Sequence, residues 1–441
     1  MSARDVALAA LARVDDGAFA NLALPPLLAR SRLSPGERAA ATDLVYGSLR
    51  LRGALDAALR PLSRQPLERL DPLVLRGLRL GAYELLFAGT APHAAVAEVV
   101  GAVRRAGRAD QAGYVNAVLR RLAALPPRWP DPRRDPVGWA TSFGSHPAWM
   151  VDEALARLGP AELVALVEAD NARPAVVLRA AGPAAGGTAA RDALLAELAA
   201  AGIQAAPGRL SPDCVVLAGG DPRELAAVRD GRAVVQDEAS ALVAPALGLA
   251  PGALAVDLAA APGGKAGHLA GLGARVAAVE LHPGRARLVA GTAARLGVAA
   301  RLWTVVGDGT RPPLARGVAD GVLVDAPCSN LGSLRRRPEA RWRHDQDEPP
   351  RLAELQAALL RAAWMLVRPG GVVVYSVCTW TRAETDGVVD RVLAEVPELT
   401  EAPLTGPAAA AGGATPATRR QLWPHRDGCD GVFLARFERI L

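Results

Sequence analysis

The sequence has few of the residues that most chains use for positive charge and for cross-links. Lys265 is the only lysine in the chain, and arginine fills every other position in the Lys+Arg count of 51. Its four cysteines (Cys214, Cys328, Cys378 and Cys429) are far apart and form no C-x-x-C pair. This spacing argues against a disulfide framework and a zinc site, so we expect free thiols and no metal. No apolar run reaches the roughly 18 residues that a membrane span requires.

The remaining composition is that of a globular protein with more than one domain. The chain has 441 residues, of which 51% are hydrophobic and 22% charged, and this balance excludes a disordered chain. Its net charge of +6 suits a polyanionic partner such as nucleic acid. Asp5, Asp15 and Asp16 interrupt the first apolar stretch, which is unlike a signal peptide. We expect a cytoplasmic, monomeric protein with no membrane partner.

Hydrophobic periodicity divides the chain into three regions. Residues 1–128 show helical spacing only, and the run Ser34-Pro35-Gly36-Glu37 predicts a capped helix start. Prolines near 125–138 indicate a linker. Residues 140–236 alternate strand and helix patterns, which predicts a small α/β domain. In residues 237–441 the alternation is regular and predicts a parallel sheet covered on both faces, with strands at 253–258, 275–280, 301–306, 319–325 and 371–377.

The stretch AVDLAAAPGGKAGHLA, from Ala255 to Ala270, predicts a strand, a glycine turn and a helix. This arrangement points backbone N–H groups and a helix N-terminus at one place, which suits a carboxylate or a phosphate. The glycine spacing matches neither the dinucleotide fingerprint nor the P-loop. Lys265 opens the helix, and a site that needs a compact ammonium explains why this chain keeps one lysine there. The alternative is that one lysine fell here by chance.

Polar side chains follow the other predicted strands of this sheet. Glu280 ends the second strand, Asp308 follows the third, Asp325 and Cys328 follow the fourth, and Cys378 follows the fifth. Ligands of open α/β sheets lie beyond the carboxyl ends of the strands. Each acid alone is also explained as a cap of a helix or turn. Together, a glycine loop with lysine, an acid for ribose and an acid for adenine describe S-adenosylmethionine.

The two strand-end cysteines suggest a chemistry. C5 of cytosine is a weak nucleophile, and addition of a thiolate to C6 turns C5 into an enamine carbon that can take a methyl group. Cys328 and Cys378 follow neighbouring strands, so both thiols can face one base, with Asp325 holding its N3 and amino edge. Methylation of an exocyclic amine needs no thiol, so the cysteine at the end of Asp-Ala-Pro-Cys argues against that reaction. The alternative for each cysteine alone is a small buried hydrophobe.

These residues resemble the bacterial 16S ribosomal RNA cytosine-C5 methyltransferases of the Sun/Fmu (RsmB) type over nearly the whole chain. In the catalytic half the resemblance rests on AAAPGGK, DAPCS, LRRRPEARW and VYSVC. The first half resembles the RNA-binding factor NusB through VYGSLR, LRLGAYELL, PHAAVAEVV and YVNAVLRRL. Departures are Ala259 for a cysteine, Glu280 for an aspartate, Asn330-Leu331 for Ala-Thr, and Arg179-Ala180-Ala181 for Arg-Val-Asn-Thr.

The resemblance implies a fold and a set of roles. It implies an α/β, Rossmann-like S-adenosylmethionine-dependent methyltransferase domain at 237–441. An all-α NusB-like domain at 1–128 and a small ferredoxin/RRM-like α/β domain at 140–236 would precede it. Cys378 is then the nucleophile, Cys328 assists product release, and Asp325 belongs to the site. The implied cofactor-binding residues are Ala259, Ala260, Ala261, Pro262, Gly263, Gly264, Lys265, Glu280, Asp308 and Asp325.

The partner implied by the family is small-subunit ribosomal RNA. Two arginine clusters favour it as phosphate-binding surfaces, although solvated helix faces explain the first cluster equally well. The second cluster is expected to line the substrate cleft. A cytosine-C5 methyltransferase of transfer RNA and a NusB-like RNA-binding factor with an inactive methyltransferase fold remain alternatives. The clusters are Arg104, Arg105, Arg108, Arg120 and Arg121, and then Arg335, Arg336, Arg337, Arg341 and Arg343.

Overall fold

The computed structural model describes residues 1–182, 187–410 and 417–440. The chain forms two compact units, here called the helical unit and the sheet unit. The helical unit contains Met1–Arg173 and Leu334–Gln346, and the sheet unit contains Pro174–Ser333 and Asp347–Leu441. Within the described ranges, no helix has both the length and the apolar character needed to cross a membrane.

The helical unit contains helices and no strand in residues 1–125, as predicted. The predicted helix start is also confirmed, because Ser34 and Glu37 form a reciprocal capping box with Pro35 in the first turn. Leucine, valine and alanine side chains from one face of each of the seven helices in residues 1–125 share a single core. The helices are α1 Ala3–Asp15, α2 Ala20–Arg30, α3 Pro35–Arg50, α4 Arg52–Leu59, α5 Pro72–Leu86, α6 Pro92–Arg105, α7 Ala112–Ala124, α8 Pro136–Thr141, α9 Ala148–Leu158 and α10 Pro160–Asn171.

Residues 334–346 complete the helical unit although the sequence places them after the fourth strand of the main sheet. Arg341 is fully buried, and its Nη1 donates to the carbonyl oxygens of Arg50 and Ser145 at 2.7 and 3.0 Å and to Oδ1 of Asn171 at 3.1 Å. Glu339 is also buried and accepts a hydrogen bond from the amide of the first residue of α2 at 2.9 Å.

The prediction that all five arginines of this stretch line the substrate cleft is therefore wrong for Arg341. Its guanidinium is used inside the helical unit, where it satisfies buried acceptors. Arg337 and Arg343 both lie over the ring of Phe19, at 5.3 and 4.5 Å from its centre. Residues 140–173, grouped by the sequence analysis with the small α/β domain, also cluster with the helical unit.

The sheet unit begins with a small antiparallel sheet in the order β2-β3-β1-β4. The predicted helix at 188–201 is confirmed and packs on this sheet through Leu194 and Leu198. The elements of this subdomain are β1 Val176–Ala180, α11 Thr188–Ala200, β2 Ala205–Pro207, β3 Cys214–Leu217, α12 Ala226–Arg229 and β4 Ala233–Val235.

The larger sheet has the order β10-β12-β9-β8-β5-β6-β7 among the described residues, with β11 paired to β12. Strands β5 to β9 are mutually parallel, and β12 runs antiparallel to β9. The predicted Rossmann-like α/β fold is therefore confirmed. Its elements are α13 Glu238–Ala241, β5 Leu254–Asp257, α14 Gly264–Gly271, β6 Arg275–Glu280, α15 Pro283–Arg295, β7 Leu302–Val306, β8 Ala319–Asp325, α16 Glu348–Leu366, β9 Val367–Val377, α17 Asp386–Glu395, β10 Leu399–Glu401, α18 Pro407–Ala410, β11 Arg419–Gln421, α19 Pro424–Asp427 and β12 Phe433–Arg439.

Two apolar cores cover the faces of this sheet. Helices α14 and α15 pack on one face and α16 and α17 on the other. The strand order reverses at β5, which pairs with β6 on one side and with β8 on the other. In open α/β sheets such a reversal opens a crevice at the carboxyl ends of the strands, where ligands bind. The fold therefore directs attention to the loops after β5, β8 and β9.

Candidate active site

The loop after β5 is a glycine turn held close to α15. Gly263 has a left-handed backbone with φ of +101°, and a Cβ there would lie 3.1 Å from Cα of Val289. A Cβ at Gly264 would meet no atom within 4 Å, so open space lies beside the first residue of α14. The backbone of Ala260 donates to the carbonyl of Val279 at 3.0 Å, which fixes the loop against β6. Pro262 is held as well, since its carbonyl accepts from α15 at 2.8 Å.

Lys265 forms an ion pair within the sheet unit. Its Nζ lies 2.7 Å from Oδ2 of Asp325, and Oγ of Ser376 donates to Oδ1 of the same carboxylate at 3.2 Å. Burial lowers the pKa of the Lys265 ammonium, but the charge and hydrogen bond of Asp325, together with the nearby Cys378 and Asp257, outweigh that effect and raise it. The structure thus brings the loop after β5, the end of β8 and the end of β9 together.

The two strand-end thiols are neighbours. Sγ of Cys328 lies 3.3 Å from Sγ of Cys378, and Sγ of Cys378 lies 3.2 Å from Oδ1 of Asn330. Cys328 is buried and Cys378 is half-buried. The contact with Cys378, burial, and the nearby Glu384 carboxylate together raise the pKa of the Cys328 thiol well above its usual range. Cys328 therefore holds its proton at neutral pH.

Sequence reasoning missed Glu384, which links the loops that carry the two thiols. This carboxylate is fully buried and accepts from the amide of Ser329 at 2.8 Å, Nε2 of Gln356 at 3.1 Å and Oγ1 of Thr381 at 2.9 Å. The hydroxyls of Ser329 and Thr379 also donate to it. Ser329 and Thr379 directly follow the two thiols in sequence, so one charge holds both loops. Its donors come from three segments, and no local pattern in the sequence indicates this.

Asp257, the last residue of β5, was also missed. It is buried, and its Oδ1 accepts from the amide of Ala259 at 3.4 Å. Burial, and next the charge of Asp325, raise the pKa of the Asp257 carboxyl to about 7. A polar residue that ends a buried strand is the one signal that points to it.

The two acids predicted for the nucleoside have different surroundings. Glu280 is buried and accepts from the amides of Ala261 at 3.4 Å and His282 at 3.1 Å, so it lies against the glycine turn. Asp308 is exposed, and its Oδ1 accepts from the amide and the hydroxyl of Thr310, both at 2.8 Å. These bonds lower the pKa of the Asp308 carboxyl.

The small antiparallel sheet supports the helix that follows the glycine turn. Arg179 of β1 is buried and donates to Gln236 at 2.6 Å and to the carbonyl of Gly264 at 3.4 Å. His268 of α14 lies 3.2 Å from Oδ2 of Asp213. Burial, and next the charge of Arg179, lower the pKa of His268 to about 4, so the imidazole is neutral. The cofactor helix predicted from sequence is thus fixed from the subdomain that precedes it.

Three family models match successive parts of the chain. Residues 1–124 match the NusB family, and residues 146–222 match the ferredoxin-like domain of RsmF/B-like methyltransferases. Residues 244–438 match the model of the 16S rRNA methyltransferase RsmB/F.

Similar proteins match over almost the whole length. A Mycobacterium tuberculosis protein whose name places it among methyltransferases is 45% identical over 96% of this chain and 93% of its own. The ribosomal RNA small subunit methyltransferase B of Thermus thermophilus is 36% identical over 99% of this chain and 98% of its own. The ribosomal RNA small subunit methyltransferase B of Pseudomonas putida is 34% identical over 100% of this chain and 99% of its own. The crystal structure of PH0851 covers 100% of this chain and 99% of that one with a TM-score of 0.85 at 24% identity, which shows a shared fold.

Proposed function

The chain belongs to the RsmB/F family of 16S rRNA methyltransferases and is an RNA methyltransferase that uses S-adenosylmethionine; from this premise we propose its target atom and the roles of its residues. The target is C5 of a cytosine in small-subunit ribosomal RNA. The reaction proceeds through a covalent bond between Cys378 and C6 of that base. The observation that carries this proposal is the 3.3 Å contact between two thiols at the ends of β8 and β9.

The covalent step uses Cys378 as the nucleophile. The thiol first loses its proton to solvent, the resulting thiolate forms the S–C6 bond, and the electron pair of the C5–C6 double bond moves to C5. The Lys265 ammonium interacts favourably with a negative charge on this sulfur. Asp325, beside it, accepts from the amino edge of the base or shares a proton with N3. A proton shared with N3 draws electron density from C6 and assists the attack, and the bond from the amino group orients the base.

The residues after β5, β6 and β7 fit the cofactor. The open space at Gly264 and the first amides of α14 suit its carboxylate. Leu281, which follows β6, and Val306, which ends the neighbouring strand β7, are apolar yet 56% and 52% exposed, so an adenine ring has a surface to cover. Glu280 and Asp308 then accept from ribose and adenine. The bound cofactor supplies a methyl group on a positively charged sulfur.

Release requires that C5 loses its proton to solvent water and that the S–C6 bond breaks. The electron pair of the C5–H bond forms the new C5–C6 double bond, and the sulfur of Cys378 leaves with the pair of the S–C6 bond. Cys328 holds its proton and lies within reach of this sulfur. It donates a hydrogen bond to the departing thiolate and thereby assists product release.

The remaining parts of the chain bind the RNA. We assign residues 1–128 as an RNA-binding domain, 140–236 as a second RNA-binding region whose first part, 140–173, packs in the helical unit, and 237–441 as the catalytic domain. Arg104 and Arg121 are exposed on α6 and α7, and a groove between these helices is lined by His93, Asn116 and Arg120. Phosphate contacts of this kind predict an affinity that falls steeply as salt rises. Since its substrate is ribosomal RNA, the protein acts in the cytoplasm, and we propose that it acts as a monomer.

The test maps 5-methylcytosine across ribosomal and transfer RNA in cells that lack the protein and in cells complemented with single variants. We expect one small-subunit site to be lost and then restored by the wild type and by Cys429→Ala, a buried cysteine outside the site. Cys378→Ser restores nothing. Cys328→Ala accumulates RNA-linked protein on denaturing gels, because attack proceeds and release is slow.

Three outcomes would contradict the proposal. A lost site in transfer RNA makes the enzyme a transfer RNA methyltransferase, and no lost site makes it an inactive RNA-binding factor. RNA-linked protein with Cys378→Ser and none with Cys328→Ala reverses the two thiol roles.

A further inference from the structure

Asn330 has an uncommon backbone and two contacts beside the thiols. Its φ is +59°, and among the described residues only one other non-glycine residue, Ser145, has a positive φ. Asparagine tolerates this left-handed conformation better than most residues. Its Nδ2 donates to the carbonyl of Cys328 at 2.7 Å, and its Oδ1 lies 3.2 Å from Sγ of Cys378. The amide and the hydroxyl of Ser333 donate to its carbonyl at 3.0 and 3.1 Å and hold the loop.

The orientation of this amide determines where the thiol protons go. The NH₂ group of Asn330 faces the carbonyl of Cys328, because the reversed amide would oppose two oxygens. The amide oxygen therefore faces Cys378, and the S–H of Cys378 donates to it. Each thiol has one proton, so the 3.3 Å contact between the two sulfurs is donated by Cys328. The result is a directed chain from Cys328 to Cys378 to Asn330.

We propose that Asn330 is a positioning residue that holds the nucleophilic thiol protonated and oriented in the resting enzyme. An amide oxygen accepts from an S–H group and repels a thiolate, so this contact raises the energy of ionising Cys378. The proposal rests on the proposed function in one respect, which is that Cys378 is the nucleophile. It assigns a role to a position where this chain departs from the Ala-Thr of the family pattern.

Other groups around Cys378 act on the same proton. The Lys265 ammonium favours the thiolate, while Asp325, paired with that lysine at 2.7 Å, opposes it. The thiol of Cys328 donates to the sulfur, and Glu384 places a negative charge behind Cys328. Asn330 adds a contact that favours the neutral thiol. A neutral thiol resists oxidation and alkylation, since both follow thiolate character.

The test measures the rate at which iodoacetamide alkylates Cys378 as a function of pH, without RNA or cofactor. Mass spectrometry of the peptides resolves Cys378 from Cys328. The midpoint is the pH at which the alkylation rate of Cys378 reaches half of its maximum. Asn330→Gly keeps the backbone conformation and removes the amide, so this midpoint moves to lower pH by about 0.4–1 unit. Below the midpoint this is a roughly 3–10-fold faster alkylation. Asn330→Asp places a negative charge near the sulfur, so the midpoint moves to higher pH.

Ser333→Ala is the matched control, because it removes a hydroxyl that holds the Asn330 backbone and leaves the amide in place. We expect its midpoint to equal that of the wild type. A wild-type midpoint in Asn330→Gly, or shifts of the same sign in Asn330→Gly and Asn330→Asp, would overturn the proposal and leave Asn330 a loop residue only. The alkylation assay needs no methyl transfer, so a failure of the proposed function would appear in the RNA mapping and not here.

Discussion

Glu384 offers the sharpest test of how the thiol loops are held. Glu384→Ala removes the acceptor of two interior donors, the amide of Ser329 and Nε2 of Gln356. Neither donor can rotate toward another partner as a hydroxyl can. Gln356 keeps one N–H on the carbonyl of Pro327 at 2.9 Å, so one N–H of each residue loses its acceptor. A buried N–H without an acceptor costs about 1–3 kcal/mol, so the two cost about 2–6 kcal/mol of local stability. Because the bonds end in the loops of both thiols, methyl transfer falls together with that stability.

Glu384→Gln removes the negative charge of the side chain and keeps its size. The amide oxygen keeps the acceptor for Ser329 and Gln356, and the hydroxyls of Thr379 and Thr381 can rotate to accept from the new NH₂ group. What is lost is the charge assistance of these bonds, so we expect a cost of roughly 1–2 kcal/mol. The three proteins should therefore rank as wild type, Glu384→Gln and Glu384→Ala in decreasing stability of these loops.

The assay is hydrogen exchange followed by mass spectrometry on peptides that cover residues 326–333 and 378–385. A cost of 2 kcal/mol corresponds to a roughly 30-fold faster exchange, since about 1.4 kcal/mol is tenfold. Glu354→Ala is the control, because Glu354 is exposed on the neighbouring helix α16 and pairs with Arg391 at the surface. Wild-type exchange of both peptides in Glu384→Ala would refute the reasoning.

Two further changes test the turn and the end of β5. The raised pKa of Asp257, about 7 against 3.8, means that the folded protein keeps a proton that the unfolded chain releases. The stabilisation that this proton provides is full below about pH 4 and is lost as pH rises to about 7. In urea unfolding, Asp257→Asn should therefore reduce the difference in unfolding free energy between pH 5 and pH 8 by about 2–3 kcal/mol. An unchanged difference would contradict this. Gly263→Ala forces a left-handed alanine close to Val289 and should cost about 1–3 kcal/mol. It should also weaken cofactor binding in calorimetry, whereas Gly291→Ala, in an open part of α15, should not.

Much of the catalytic fold could be predicted because its strands are short apolar runs that end in polar residues. The predicted strands 275–280 and 319–325 are confirmed residue for residue. The fifth strand was predicted to begin at residue 371, because the preceding Arg-Pro-Gly-Gly is typical of a turn. In the structure it begins at Val367, which pairs with Ala319 of β8 before an irregularity in the ladder. Local patterns give the strand but not where pairing begins.

The parts of the site that sequence reasoning missed depend on contacts between distant segments. Glu384 is one carboxylate among many, and its meaning comes from donors that three segments bring to it. Asn330 stood out only as a departure from a family pattern, and neither its left-handed backbone nor its contact with Cys378 has a local signal in the sequence. Arg341 was assigned to RNA because arginine clusters favour phosphate, yet its side chain is buried in the helical unit and its Nη1 donates to carbonyl oxygens there.

The discontinuous make-up of the helical unit bears on how it can be produced. When a ribosome has released residues 1–173, it has not yet made Arg341, the donor for two buried carbonyl oxygens of that unit. Co-translational assembly of the unit can therefore finish only after residue 346 has emerged. An expression fragment that stops at residue 173 would need residues 334–346 supplied as a separate peptide or spliced on by a short linker.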